Sequence, residues 1–110
     1  MEPVSIDDFK KIKIAIGEIV TAEKVPDSDK LLKLTVNFGA EVRQVISGIA
    51  QTYTDPSVLI GVSCPFVTNL LPRTILGLES QAMILAAKDL DGKIVLLKPD
   101  KPIPAGATLS

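Results

Sequence analysis

Between Leu32 and Phe38 the chain alternates strictly. Leu32, Leu34, Val36 and Phe38 fall on one side, and Lys33, Thr35 and Asn37 on the other. That period of two is what a strand shows when one face meets a core and the other meets water. A helix repeats about every 3.6 residues and cannot present it. A second alternation, Ile12, Ile14 and Ile16 with Lys13 and Ala15 between them, loses phase at Gly17–Glu18, because the next apolar pair is Ile19–Val20. A glycine at a phase slip predicts a bulge, so one long strand, bent near Gly17, is expected from Lys11 to Val25.

Turn chemistry divides the rest of the chain. Pro26-Asp27-Ser28-Asp29 separates the first two strands, and Gly39-Ala40 turns into a third over Glu41 to Ser47. Asp55-Pro56-Ser57 places a capping residue before a proline at the first helical position, and Gly61 ends the short helix it opens. Val62, Cys64 and Phe66 alternate again, with Pro65 predicting an edge strand or a local bulge. Residues 69–80 read as a loop and Ala82 to Ala87 as a buried strand. Asp91-Gly92 is a hairpin turn leading into Ile94 to Leu97. The tail from Pro99 to Ser110 is an extended ordered arm or a loose end. The expectation is an all-β single domain over residues 1–110: a five-stranded Greek-key barrel with a short helix between strands 3 and 4, or a small sandwich.

Composition narrows the chemistry. The 110 residues include no histidine and one cysteine. This removes zinc sites and Ser–His or Cys–His nucleophile systems, so an enzyme is not expected and no catalytic residue is assigned. Asp27, Asp29, Asp89 and Asp91 lack the spacing of a calcium loop and read as turn formers, so no metal or other cofactor is expected. The lone Cys64 reads as a small buried hydrophobe and fits a reducing cytoplasm. No apolar run approaches the roughly 18 residues of a membrane span, and the first residues carry Glu2, Asp7 and Asp8, unlike a signal peptide. An apolar share of 46% exceeds what a small domain easily hides, which points to a homodimer interface. A net charge of −1 leaves room for nucleic acid only at a local basic patch.

Six blocks carry a resemblance. Ser5-Ile6-Asp7-Asp8-Phe9, Ala22-Glu23-Lys24-Val25-Pro26, Ser28-Asp29-Lys30-Leu31-Leu32-Lys33-Leu34, Arg43 to Ala50, Asn69-Leu70-Leu71-Pro72-Arg73 and Gly77 to Ala87 follow one another in a set order and spacing. Together they resemble the tRNA-binding domain family. It includes the C-terminal domain of bacterial methionyl-tRNA synthetase, the stand-alone structure-specific tRNA-binding proteins and the endothelial monocyte-activating polypeptide domain. The resemblance implies an oligonucleotide-binding (OB) barrel that dimerises and grips the outside of folded tRNA without catalysis. Its expected partners are tRNA and a methionyl-tRNA synthetase, in the same or a separate chain.

By the same resemblance, Lys30, Lys33, Arg43 and Arg73 would meet phosphates, with Asn69 adding a hydrogen bond. Ser80 and Met83 would present a hydroxyl and a deformable apolar surface to ribose or base. Alternation alone makes Lys30 and Lys33 solvated strand residues, and an apolar run alone makes Met83 core. Ala15, Leu71 and Thr74 stand where the family commonly carries cations. These gaps are the best support for the chief rival to tRNA binding, a dimerisation domain with little RNA affinity; for a third reading, a small-molecule or peptide barrel, no residue speaks.

Overall fold

The computed structural model describes residues 1–110. Its first half follows the alternation closely. β1 (Ile14–Lys24), β2 (Leu32–Asn37) and β3 (Val42–Ser47) form an antiparallel meander, and β4 (Ser63–Val67) and β7 (Met83–Ile84) join on the far side of β1 in the order β3-β2-β1-β4-β7. The hairpins β5 (Arg73–Ile75) with β6 (Leu78–Ser80) and β8 (Ala86–Lys88) with β9 (Ile94–Leu96) form two separate two-stranded sheets. A 3-10 turn, Pro56–Leu59, is capped by the Asp55 carboxylate, which accepts the Ser57 N–H at 3.1 Å. One helical turn, α1 (Ile6–Phe9), precedes β1 and buries nothing.

The five strands curl into a nearly closed OB-like barrel. Leu32, Leu34, Val36, Val45, Ile19, Cys64 and Phe66 are wholly buried along its axis. Phe38 meets Phe66 edge-on, with ring centroids 5.4 Å apart and planes 83° apart, an arrangement the aromatic quadrupole favours. Covering a side chain such as Phe66 contributes about 2–3 kcal/mol.

Several details differ from the expectation. The first strand runs from Ile14 to Lys24, and its bulge lies between Ile19 and Thr21 rather than at Gly17. Gly17 serves close approach instead: a Cβ there would lie 2.5 Å from Val36 Cγ1 and 2.7 Å from Phe38 Cε1. Pro65 lies on neither an edge strand nor a bulge. It pairs with Ile16 in a regular ladder, while the Ile16 backbone bonds Ala107 and Gly106 on the opposite side. The missing proline N–H therefore leaves no gap in the β1–β4 ladder.

Residues 69–80 contain the β5–β6 hairpin rather than a plain loop. The expected buried strand over Ala82 to Ala87 is two short strands, with only Ala82 and Ile84 buried. The tail is the ordered arm of the two alternatives. Beyond the end of β2 it takes that strand's place beside β1, with Ile16 N–H on Ala107 C=O at 2.8 Å and Leu109 N–H on Ile14 C=O at 2.9 Å.

Candidate nucleic-acid interface

The seam where β3 meets β6 is built by side chains rather than by a regular ladder. The Ser80 hydroxyl accepts the Ile46 N–H at 3.0 Å and lies 3.1 Å from Ala82 C=O. The Gln81 side-chain oxygen accepts the Gln44 N–H at 2.9 Å, and Gln44 Nε2 donates to Glu79 C=O at 2.9 Å. One main-chain bond, Gln81 N–H to Gln44 C=O at 2.8 Å, completes the closure. No buried side-chain polar atom is left without a partner, so the seam satisfies what it desolvates.

Beside this seam runs a groove of about 270 Å³, lined by Leu70, Leu71, Arg73, Ser80, Met83, Ser47 and Gly48, among others. Arg73, Ser80 and Met83 therefore share one site. Arg73 is exposed and makes no salt bridge, whereas Ser80 is only 8% exposed with its hydroxyl bonded inside the seam. Met83 is about half exposed at the end of β7.

The other expected residues are placed differently. Arg43 points into the barrel end. Its Nη1 donates to Thr68 C=O at 2.6 Å and Gln81 C=O at 3.2 Å, its Nε to Glu41 at 2.7 Å, and its guanidinium carbon lies 5.7 Å from the Phe38 ring centroid. A guanidinium so committed has few donors left for phosphate. Asn69 ties the loop to the chain entering β1, accepting the Lys13 N–H at 2.8 Å and donating to Lys11 C=O at 2.6 Å.

Lys33 pairs with Glu23, its cross-strand neighbour, at 3.1 Å. Lys30 is exposed in the turn before β2, its main chain held by the Ser28 hydroxyl and by the Ala50 N–H. Of the four cations, Lys30 and Arg73 are thus free of carboxylate partners.

Gln44 and Gln81 were not singled out from the sequence. Polar residues beside a predicted strand carry no signal until the partner strand across the seam is known. At the positions lacking cations, Leu71 and Thr74 are exposed, while Ala15 is half-buried and bridged to Thr108 of the arm.

Cys64 is fully buried, and burial pushes its thiol up to about 11, opposed weakly by the charge of Lys98. The Asp55 carboxyl is lowered by the hydrogen bonds it accepts from the Ser57 side chain and backbone. No three His, Cys, Asp or Glu side chains come together as a metal site would require. No helix is long and apolar enough to cross a membrane.

Residues 14–108 match the family model described as "Putative tRNA binding domain". The chain is 49% identical over 109 residues to a methionine–tRNA ligase of Methanococcus aeolicus, covering 99% of this chain and 16% of that protein. It is 48% identical over 103 residues to the Deinococcus radiodurans ligase, covering 94% of this chain and 15% of that one. It therefore spans about one sixth of the length of these relatives.

Among solved structures, a MetRS-related protein from Pyrococcus horikoshii superposes with a TM-score of 0.94 at 38% identity, all of both chains being covered. The CsaA chaperone of Bacillus anthracis superposes at 0.89 with 28% identity over 99% of this chain and 100% of that one. With a family match over nearly all its length and the barrel to go with it, the chain belongs to the tRNA-binding domain family.

Proposed function

We propose that this chain is a non-catalytic, cytoplasmic module that recognises folded tRNA by shape and supports a methionyl-tRNA synthetase, in cis or in trans, as a homodimer. The observation that carries the reading is Arg73, a guanidinium without a carboxylate partner lining a groove on a nearly closed barrel. A forked cation of this kind suits a phosphate oxygen pair. Folded RNA is read mainly through phosphates, 2′-hydroxyls and shape, which asks for a shaped surface rather than a reactive centre. Lys30 adds a second free cation, and Ser80, Gln44 and Gln81 hold the groove wall in place.

Support for a synthetase partner comes from the methionine–tRNA ligases, in which the similar segment is a small part of a longer protein. Support for the dimer comes from a second groove of about 430 Å³ in which Ile6, Phe9, Ile12 and Leu109 are exposed. Two weak sites on one tRNA would gain effective concentration. The rival reading, a dimerisation domain with little tRNA affinity of its own, is favoured by one specific observation: Arg43 and Lys33 are already paired with Glu41 and Glu23.

A filter-binding titration with bulk tRNA, against an RNA duplex of similar size, separates the two. Saturable binding of several tRNA species with similar affinity, and weaker binding of duplex, supports the module. Failure of tRNA to bind in low salt leaves the dimerisation reading.

A further inference from the structure

The groove beside Arg73 has an unusual wall. Leu71 is 88% exposed, and Leu70 and Met83 are each about half exposed. Such contiguous apolar surface is unfavourable in water unless a ligand covers it. Arg73 is the one charged residue among those lining it. The Ser80 hydroxyl is engaged with Ile46 and Ala82, and Ser47 is the other polar uncharged residue lining the groove. A Cβ on Gly48 would meet nothing within 4 Å, so the floor there is open.

An apolar slot with one guanidinium at its rim complements a single nucleotide. The flat face of a base would lie against Leu71 and Met83, and its phosphate would sit on Arg73. A base inside a duplex has both faces stacked and cannot enter, whereas one turned out of a loop or bulge exposes a face. Methionine suits such a surface because its thioether is polarisable and its chain adapts to the ring.

We propose that this groove admits one unpaired nucleotide of the bound tRNA, so that the chain reads an exposed base as well as the phosphate surface. The proposal rests on the tRNA-binding reading above. It gives the domain a way to distinguish tRNA from a plain helix. Phosphates are common to both, and an exposed base face is not.

The test is a set of anisotropy titrations of the full chain with tRNA, with a short plain RNA duplex, and with the same duplex carrying one bulged nucleotide. The bulged duplex is expected to bind about fivefold tighter than the plain one, at the low end of what a stacked base contributes. Leu71→Ser and Met83→Ser should remove that preference and leave the salt dependence unchanged, since neither residue meets a phosphate. Leu71 is exposed enough that its replacement leaves the fold intact. Arg73→Ala should weaken both duplexes and lower the salt slope by about one.

Equal affinity for the two duplexes, with tRNA binding still dependent on Arg73, overturns the nucleotide groove while the tRNA reading stands. No binding of tRNA at all overturns both. If an apolar peptide occupies the groove, in a manner lost in Leu71→Ser, and the bulge has no effect, the occupant is a peptide and the proposal fails.

Discussion

Cys64 and Gly17 face each other across the β1–β4 ladder, and each shows what the core demands of a single position. Burial holds the Cys64 thiol at about 11, against an ordinary value of 9.0. Between these values the unfolded chain has released its proton and the folded chain has kept it. Stability therefore falls as pH rises through that window and levels off above it. The loss is bounded at on the order of 2–3 kcal/mol. Urea unfolding from pH 8 to 11 should show the wild type losing stability faster than Cys64→Ala; parallel curves would mean the thiol ionises equally in both states. The same burial predicts that a thiol reagent reacts with the native protein only as fast as the barrel opens. At Gly17 the neighbours, Val36 and Phe38, are core side chains and cannot swing aside. Gly17→Ala is expected to cost about 1–3 kcal/mol, read from the denaturant midpoint, although alanine suits a strand no worse than glycine does.

The β5–β6 hairpin is the element most relevant to the site and the one least visible in the sequence. Its strands are three residues long, too short for alternation to register, and its turn places Leu76 at φ +49° ahead of Gly77 at +77°. Successive positive φ values suit Asn-Gly far better than Leu-Gly. Leu76 is exposed and has no core contact to compensate. Leu76→Asn should therefore stabilise the protein by about 0.5–1 kcal/mol, seen as a higher thermal midpoint, and no gain would mean the turn relaxes in solution.

The contrast with β2 explains what could be read from the sequence. Leu32 to Asn37 pair on both edges, so their alternation reports burial directly. The run from Ala82 to Ala87 is apolar too, but the chain leaves the barrel after Ile84, and nothing covers Ala86 or Ala87. Composition tells which residues tolerate burial; only the tertiary neighbours decide which receive it. The site divides in the same way. Arg73 was identifiable as a loop cation, whereas the inward turn of Arg43 depends on Thr68 and Gln81, distant in sequence.

For the whole molecule, the electrostatics predict weak salt dependence. A body of net charge −1 exerts little long-range pull on RNA, so attraction must come from local cations without carboxylate partners. Of the expected contacts, Lys30 and Arg73 qualify; Lys33 must first part from Glu23, and Arg43 is held by the barrel end. Each neutralised phosphate contributes a little under one unit to the slope of log affinity against log salt, so two contacts give about −2 per protomer and about −4 for a dimer engaging one tRNA. Titrations with bulk tRNA across a range of salt, with sedimentation at the same concentrations to fix the number of protomers, read this slope directly. Arg73→Ala should flatten it by about one per protomer engaged and weaken all tRNA species alike, since a phosphate contact carries no sequence information. Arg73→Lys should keep the slope while losing affinity, because an ammonium retains the charge without the paired donors of a guanidinium. Arg43→Gln should leave the slope unchanged, its charge being neutralised within the protein by Glu41. A slope far steeper than −4, or one that falls in Arg43→Gln but not in Arg73→Ala, would place the phosphate-binding face elsewhere on the barrel.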